Sequence, residues 1–331
     1  MTFYIPQDTT ALALGAESVA RALQTAGVEP VRNGSRGMFW LEPLLEVDTE
    51  EGRIGFGPVS SKDIPSILDA LETDASSHDL YLGQVEQIDY LASQQRLTYA
   101  RAGLGDPVCL DNYQALNGFK GLKTALAMTG QQIVDQVKDS GLRGRGGAAF
   151  PAGIKWQTVL NCEAEQKYIV CNADEGDSGT FADRLVMESD PYQLIEGMAI
   201  AGLAVGATQG YIYLRSEYPV AHRLLNIAIE RAEAANFLGD NIQGSGKAFH
   251  LEVRLGAGAY ICGEETSLLE SLEGKRGMVR AKPPLPAIEG LFGKPTVVNN
   301  VLTLAAISTI LEQGAETYQN FGMGRSRGTL A

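Results

Sequence analysis

The fold class predicted by the sequence is α/β, organised as two domains. Three observations lead there. The chain has 331 residues, about twice the roughly 150 expected for one domain. Stretches with a 3.6-residue apolar period alternate with short β-rich runs and glycine turns, the pattern of layered α/β structure. A polar, mixed stretch interrupts that alternation after the first 85 residues or so.

The N-terminal elements come first. Thr9 or Thr10 opens a helix with Leu12, Ala16, Val19, Ala20 and Leu23 on its inner face, and Gly27 ends it. Met38-Phe39-Trp40-Leu41 and Leu44-Leu45-Glu46-Val47 read as strand material interrupted by Pro43, and Glu50 to Arg53 as a turn before Ile54-Gly55-Phe56. A second helix follows with Ser60 or Ser61 as its cap and Ile64, Ile67, Leu68 and Leu71 inward. The order β–α–β–β–α suits a thioredoxin-like domain over 1–85, with 86–110 as a linker and Asp74 to Asp79 as the most polar candidate break. In the second domain, 111–320, Thr129-x-x-Gln132 is a capping box that opens a helix stopped by Gly141. Ile169 to Asn172 reads as a buried strand, Ile195 to Val205 as a helix and Tyr211 to Leu214 as a further strand.

Composition narrows the classes. With 44% hydrophobic and 20% charged residues the chain matches an ordinary globular protein. It lacks the roughly 18 consecutive apolar residues of a membrane span. Its first residues, Met1 to Pro6, carry no secretory signal, so a cytoplasmic protein without a membrane partner is expected. A net charge of −13 argues against nucleic acid, and requires any phosphate site to be local, built from backbone N–H groups and a few placed cations. Cys109, Cys162, Cys171 and Cys262 contain no C-x-x-C pair, so no metal or cluster site is expected.

Four segments carry chemistry. Gly141 to Trp156 holds five glycines in its first thirteen residues, with Arg145, Lys155, Phe150 and Trp156. Glycine permits close approach and positive φ, and the added cations favour phosphate binding over a plain turn. Its spacing is not that of a P-loop, and it follows a helix rather than a strand. Cys171 to Phe181 places Asp174, Glu175 and Asp177 within four residues; without His or Cys nearby, ribose or amide contacts suit these carboxylates better than a metal. Leu255 to Ser267 runs from a glycine-rich turn through Tyr260 into Gly263-Glu264-Glu265 and a helix. Lys294 to Val301 reads as a strand ending in Asn299 and Asn300, whose amides match heterocycle edges.

Taken in order, GRGGAAFPAGIKW, CNADEGDSGTF, GAGAYICGEETSLLESLEGKRG and KPPLPAIEGLFGKPTVVNN resemble the flavoprotein family of the NADH-binding subunit of respiratory complex I and the diaphorase subunits of NAD-reducing hydrogenases and formate dehydrogenases. The likeness runs from about Leu110 to Leu311. It implies an atypical Rossmann-like domain holding FMN, with NAD(H) stacked on its ring. FMN would be held by Gly144, Arg145, Gly146, Gly147 and Lys155 at the phosphate, Asn172, Asp174 and Glu175 along the ribityl chain and ring edge, and Gly263, Glu264, Glu265, Val298, Asn299 and Asn300 around the flavin. Phe150, Asp177, Tyr260 and Lys282 would fall on the NAD side. No protein acid or base is implied for the transfer itself; Glu175 and Asp177 are the nearest candidates.

The sequence departs from the family at Asp177, where a glutamate is usual, and at Leu285, where an aromatic is usual. The loop Gly176-Asp177-Ser178-Gly179 and the N-terminal unit are similar to the formate dehydrogenase branch, which implies iron–sulfur partner subunits, including a small thioredoxin-like [2Fe–2S] subunit, and a molybdenum- or tungsten-containing catalytic subunit. Hydrogenase and complex I subunits are the alternatives, followed by a silent nucleotide-binding scaffold and a magnesium-dependent phosphate-metabolite enzyme. Residues 321–331 are read as the start of a β-grasp region. That region and the helical bundle with the family's [4Fe–4S] ligands are absent from this sequence.

Overall fold

In the computed structural model, which describes residues 1–323 and the backbone of 326–327, the chain divides into two compact units, Met1–Asn112 with Glu188–Asp190, and Tyr113–Met187 with Pro191–Ala331. In the first unit β1 (Phe3–Tyr4) leads into α1 (Thr9–Ala13) and α2 (Ala16–Thr25). The single helix expected from Thr9 is broken because Gly15 adopts φ +105°, and the cap is Asp8, whose carboxylate accepts the N–H groups of Thr10 and Ala11. After the helices, Val31 bridges Tyr4 in parallel, whereas β2 (Leu45–Thr49) pairs with β1 antiparallel and β3 (Gly52–Phe56) pairs antiparallel with β2. That is the expected β–α–β–β–α path, completed by α3 (Ile64–Glu72).

Further expectations fail in this unit. Phe39–Leu41 is a 3-10 turn, not a strand, because Met38 is drawn into an apolar cluster with Leu44, Val85 and Leu91. The residue before α3 is Asp63, and Ser60 instead donates both its N–H and its hydroxyl to the Asp63 carboxylate. The break at Asp74–Asp79 is an ordered turn leading into β4 (Tyr81–Gln84), which extends the same sheet beside β3. The stretch 86–110, including α4 (Asp89–Ala92), is counted with this unit: Leu91 is buried, and the buried Arg36 guanidinium binds Glu46 at 2.7 Å and Glu86 at 2.6 Å.

Beyond α5 (Leu110–Ala115), the second unit is built on a four-stranded sheet. Its elements in order are α6 (Lys120–Leu126), α7 (Gly130–Asp139), α8 (Ala152–Asn161), β5 (Tyr168–Ala173), α9 (Ala182–Ser189), α10 (Pro191–Val205), β6 (Gln209–Leu214), α11 (Pro219–Ala234), β7 (His250–Leu255), α12 (Glu265–Leu272), β8 (Thr296–Asn300), α13 (Val301–Gln313) and α14 (Ala315–Asn320). The Thr129–Gln132 capping box at α7 forms as expected. All four strands are parallel, in the order β7-β6-β5-β8. The chain builds outward from β5 to β6 and β7, then returns to lay β8 on the other side of β5. Helices α10 and α13 pack on each other and on β5, while Leu268 and Leu269 of α12 join Val170, Tyr213 and Val298 in an apolar cluster. Of 321–331, Gly322–Met323 and Ser326–Arg327 form a short antiparallel pair; 324–325 and 328–331, the rest of that expected start of a β-grasp region, lie outside the described residues. No helix among the described residues is long and apolar enough to cross a membrane.

Buried Glu196 on α10 ties this layer together. It accepts the Tyr113 hydroxyl and the backbone N–H groups of Phe119 and Leu122, at 2.5, 2.9 and 2.8 Å. Glu196→Ala strands all three donors in the core and is expected to cost roughly 3–5 kcal/mol, read as a lower urea midpoint at unchanged slope.

Candidate functional site

Two adjoining cavities of about 600 and 460 Å³ open at the carboxyl ends of β5 and β8. This is where strand order reverses, the position at which open parallel sheets leave a crevice for a ligand. Asn172 and Asn300 are register partners at these strand ends and line both cavities, with Gly146, Gly263 and Glu264.

The glycine-rich loop is closed as a narrow bracket. Arg143 bridges Pro151, and the Gly144 N–H donates to the Phe150 carbonyl at 2.9 Å. Gly147 and Ala149 have positive φ, the conformation that turns successive N–H groups to one side. Gly146 passes so close to Asn300 that a Cβ on it would sit 3.1 Å from the asparagine's own. Arg145 donates its backbone N–H to Thr303 Oγ1 and Nη2 to the Tyr318 hydroxyl, while its buried Nε has no partner. Arg145 lines the first cavity. Lys155 lines the second, with its ammonium on the Val298 carbonyl at 2.9 Å and Glu265 at 3.3 Å, and the glycine-rich loop that carries Arg145 borders both cavities.

The three carboxylates after β5 take three different environments. Asp174 keeps Oδ2 buried without a partner, and burial raises its pKa to about 6. Glu175 does not present a free carboxylate: its oxygens accept the N–H groups of Asp183 and Arg184 at the start of α9, and the Tyr218 hydroxyl at 3.0 Å. Asp177 accepts the exposed Tyr260 hydroxyl at 2.6 Å, and the Tyr260 ring lies against Gly176, where a Cβ would meet it at 2.9 Å.

Glu264 is the N-cap of α12, accepting the N–H groups of Thr266 and Ser267. Burial alone would raise its pKa, but the Thr266, Ser267 and Lys282 hydrogen bonds hold it at about 2. The Lys282 ammonium donates to both Glu264 and Glu265, at 2.9 and 2.8 Å. Phe150 and Leu285 are half-exposed on the wall of the second cavity. Of the paired amides, Asn299 accepts the Trp156 indole N–H at 2.8 Å, and Asn300 caps α13 through the Leu302 N–H. Both side chains are thus committed within the protein as well as facing the cavity.

Sequence reasoning missed Asp183. Its carboxylate is buried, lines the first cavity and accepts the Asn300 amide at 2.7 Å. An acid in the first turn of a helix is ordinary, and no spacing announces a partner 117 residues away. It also missed Thr303 and Tyr318, which hold Arg145.

These residues fit FMN. An unpartnered guanidinium N–H beside a glycine-rich loop is a donor suited to a phosphate, the start of α13 adds its dipole, and glycines and amides line the walls where a planar ring would sit.

Comparison with known proteins supplies the relatives. The chain is 52% identical over 236 residues to the NADP-reducing hydrogenase subunit HndC of Solidesulfovibrio fructosivorans, covering 71% of this chain and 48% of that protein. It is 50% identical over 225 residues to an NADH-quinone oxidoreductase subunit of Escherichia coli strain K12, covering 67% of this chain and 51% of that protein. It therefore spans about half the length of the curated relatives it matches. The structure of an NAD⁺-reducing [NiFe]-hydrogenase in the H2-reduced state superposes with a TM-score of 0.61 at 29% identity, over 99% of this chain and 55% of that one. The Nuo51 FMN-binding domain matches residues 137–309, and the chain belongs to that family.

Proposed function

We propose that this chain is the FMN-binding module of a multi-subunit oxidoreductase, exchanging electrons between NAD(H) and iron–sulfur centres. The observation that carries the reading is the cleft at the β5/β8 switch point, where a glycine bracket with a partnerless Arg145 N–H faces amide and acidic walls. Bound FMN supplies two-electron exchange with nicotinamide and one-electron exchange with iron–sulfur partners. The protein's part is positioning, so no acid–base triad is required. Arg145 and the loop amides hold the phosphate. Asn172, Gly263 and Glu264 wall the ring. The Tyr260–Asp177 pair and Phe150 border the face offered to NAD(H), and Lys282 is fixed there by two carboxylates.

Within that reading we assign the chain to an NAD-dependent formate dehydrogenase, supported by the likeness of the Gly176–Gly179 loop and of residues 1–85 to that branch. The hydrogenase chain that matches 99% of this one favours a second reading, the diaphorase of a hydrogenase. Molybdenum or tungsten in the intact complex supports the first, nickel the second. For the shared reading, the purified chain is expected to be yellow with FMN and to bleach when NADH is added. A colourless protein that takes up no FMN would leave the silent scaffold instead, or, with a magnesium requirement, a phosphate-metabolite enzyme.

A further inference from the structure

The acid that the proposed reading leaves without a task is Asp183. It sits at the second residue of α9, 5% exposed, in the wall of the first cavity. Its Oδ2 accepts the Asn300 amide at 2.7 Å, while its own backbone N–H donates to Glu175 at 2.9 Å. Two acid side chains therefore share one buried wall. Asn300, the other end of this contact, caps α13, and the first turn of α13 holds Arg145 through Thr303. Arg145 and Asp183 thus flank the same helix start, where an anionic ligand group would lie.

We propose that Asp183 is a positioning residue that works as the neutral acid: it tethers Asn300 at the end of β8 without adding a second buried negative charge beside Glu175, and the ligand's phosphate is accepted while the proton stays. The titratable groups around it come from several elements. Glu175 comes from the loop after β5, with Tyr218 hydrogen-bonded to it, and fully buried Cys171 comes from β5 itself. Asn300 comes from β8, Arg184 from its own helix, and Arg145 of the glycine bracket lines the same cavity. The ion-pair contacts found for the cavity lysines go to Glu264 and Glu265, not to Asp183. Burial, then the Glu175 charge, push the Asp183 carboxyl up to about 8, against the pull of the hydrogen bonds from the Asn300 amide and the Leu302 N–H. The sign follows from that direction: ligand acceptance is complete while Asp183 is protonated and is lost as pH rises through about 8.

The inference rests on the flavin reading, and the experiment separates the two. FMN and riboflavin are titrated by fluorescence quenching into the full chain and into Asp183→Asn, between about pH 7 and pH 9, on either side of the Asp183 titration. Wild-type affinity for FMN is expected to fall about tenfold across that range, as one buried charge approaches the phosphate. The same fall should be much smaller for riboflavin, and absent for FMN in Asp183→Asn. An Asp183→Asn protein that keeps the wild-type pH dependence, or an equal fall for riboflavin, overturns the proposal. So does FMN binding that does not vary with pH, and this outcome leaves the flavin reading standing. No FMN uptake at any pH sinks the flavin reading, and this inference with it. Should Asp183→Asn fail to fold, wild-type protein labelled with ¹³C-aspartate decides by infrared spectroscopy: a protonated-carboxyl band is expected at neutral pH and gone in mild alkali, and its absence at neutral pH refutes the neutral acid.

Discussion

Arg145→Ala is expected to weaken FMN binding roughly 30- to 150-fold while leaving riboflavin almost untouched. Tertiary contacts hold this guanidinium in place from two sides, the backbone through Thr303 and one terminal nitrogen through Tyr318. Its Nε is buried without a partner, so the desolvation cost has been met before any ligand arrives. A phosphate there gains a charge-assisted hydrogen bond worth about 2–3 kcal/mol, hence the fold-change. Arg145→Lys should recover only part, because an ammonium keeps the charge and loses the planar fork. Fluorescence titration with both flavins reads the difference. Equal weakening for riboflavin would show that Arg145 shapes the cavity and does not recognise phosphate.

Gly197→Ala is expected to be among the most destabilising single substitutions in the second unit, costing about 3 kcal/mol or more. Gly197 lies within α10, where that helix crosses α13, and an added Cβ would sit 2.0 Å from the Leu304 carbonyl oxygen and 2.8 Å from its carbon. The obstacle is backbone, so no rotamer change relieves it, and the helices must separate. In a unit of about 200 residues this corresponds to a fall in Tm of roughly 6–12 °C. The effect should reach the cavity, since Asn300 caps α13 and the helix carries Thr303. A Tm within about 2 °C of wild type would mean that the two helices separate cheaply and that the crossing does not fix the site.

Local signals were read well where they are self-contained. The capping box at Thr129, the β-rich runs of β5, β6 and β8, and the glycine bracket are each announced within a few neighbouring residues. Errors arose where a distant contact overrode local preference. Met38 abandoned a strand pattern for the cluster with Val85 and Leu91, and the break expected at Asp74–Asp79 became a turn into β4 because β3 had an edge to offer. At the site, residue types were legible and their employment was not. The acids at 174, 175 and 177 read alike along the chain, yet one is left partnerless, one is spent on the start of α9 and one is held by Tyr260.

By itself the sequence determined the α/β class, the glycine-rich loop and the family, because periodicity and motif spacing are properties of neighbours along the chain. Only the tertiary structure decided which charges stand alone. The parallel register that sets Asn172 beside Asn300, and the helix start that brings Asp183 to Asn300, join residues more than a hundred positions apart. Burial and partners acquired there, and not residue type, set which acid keeps its proton and which cation remains available for a phosphate.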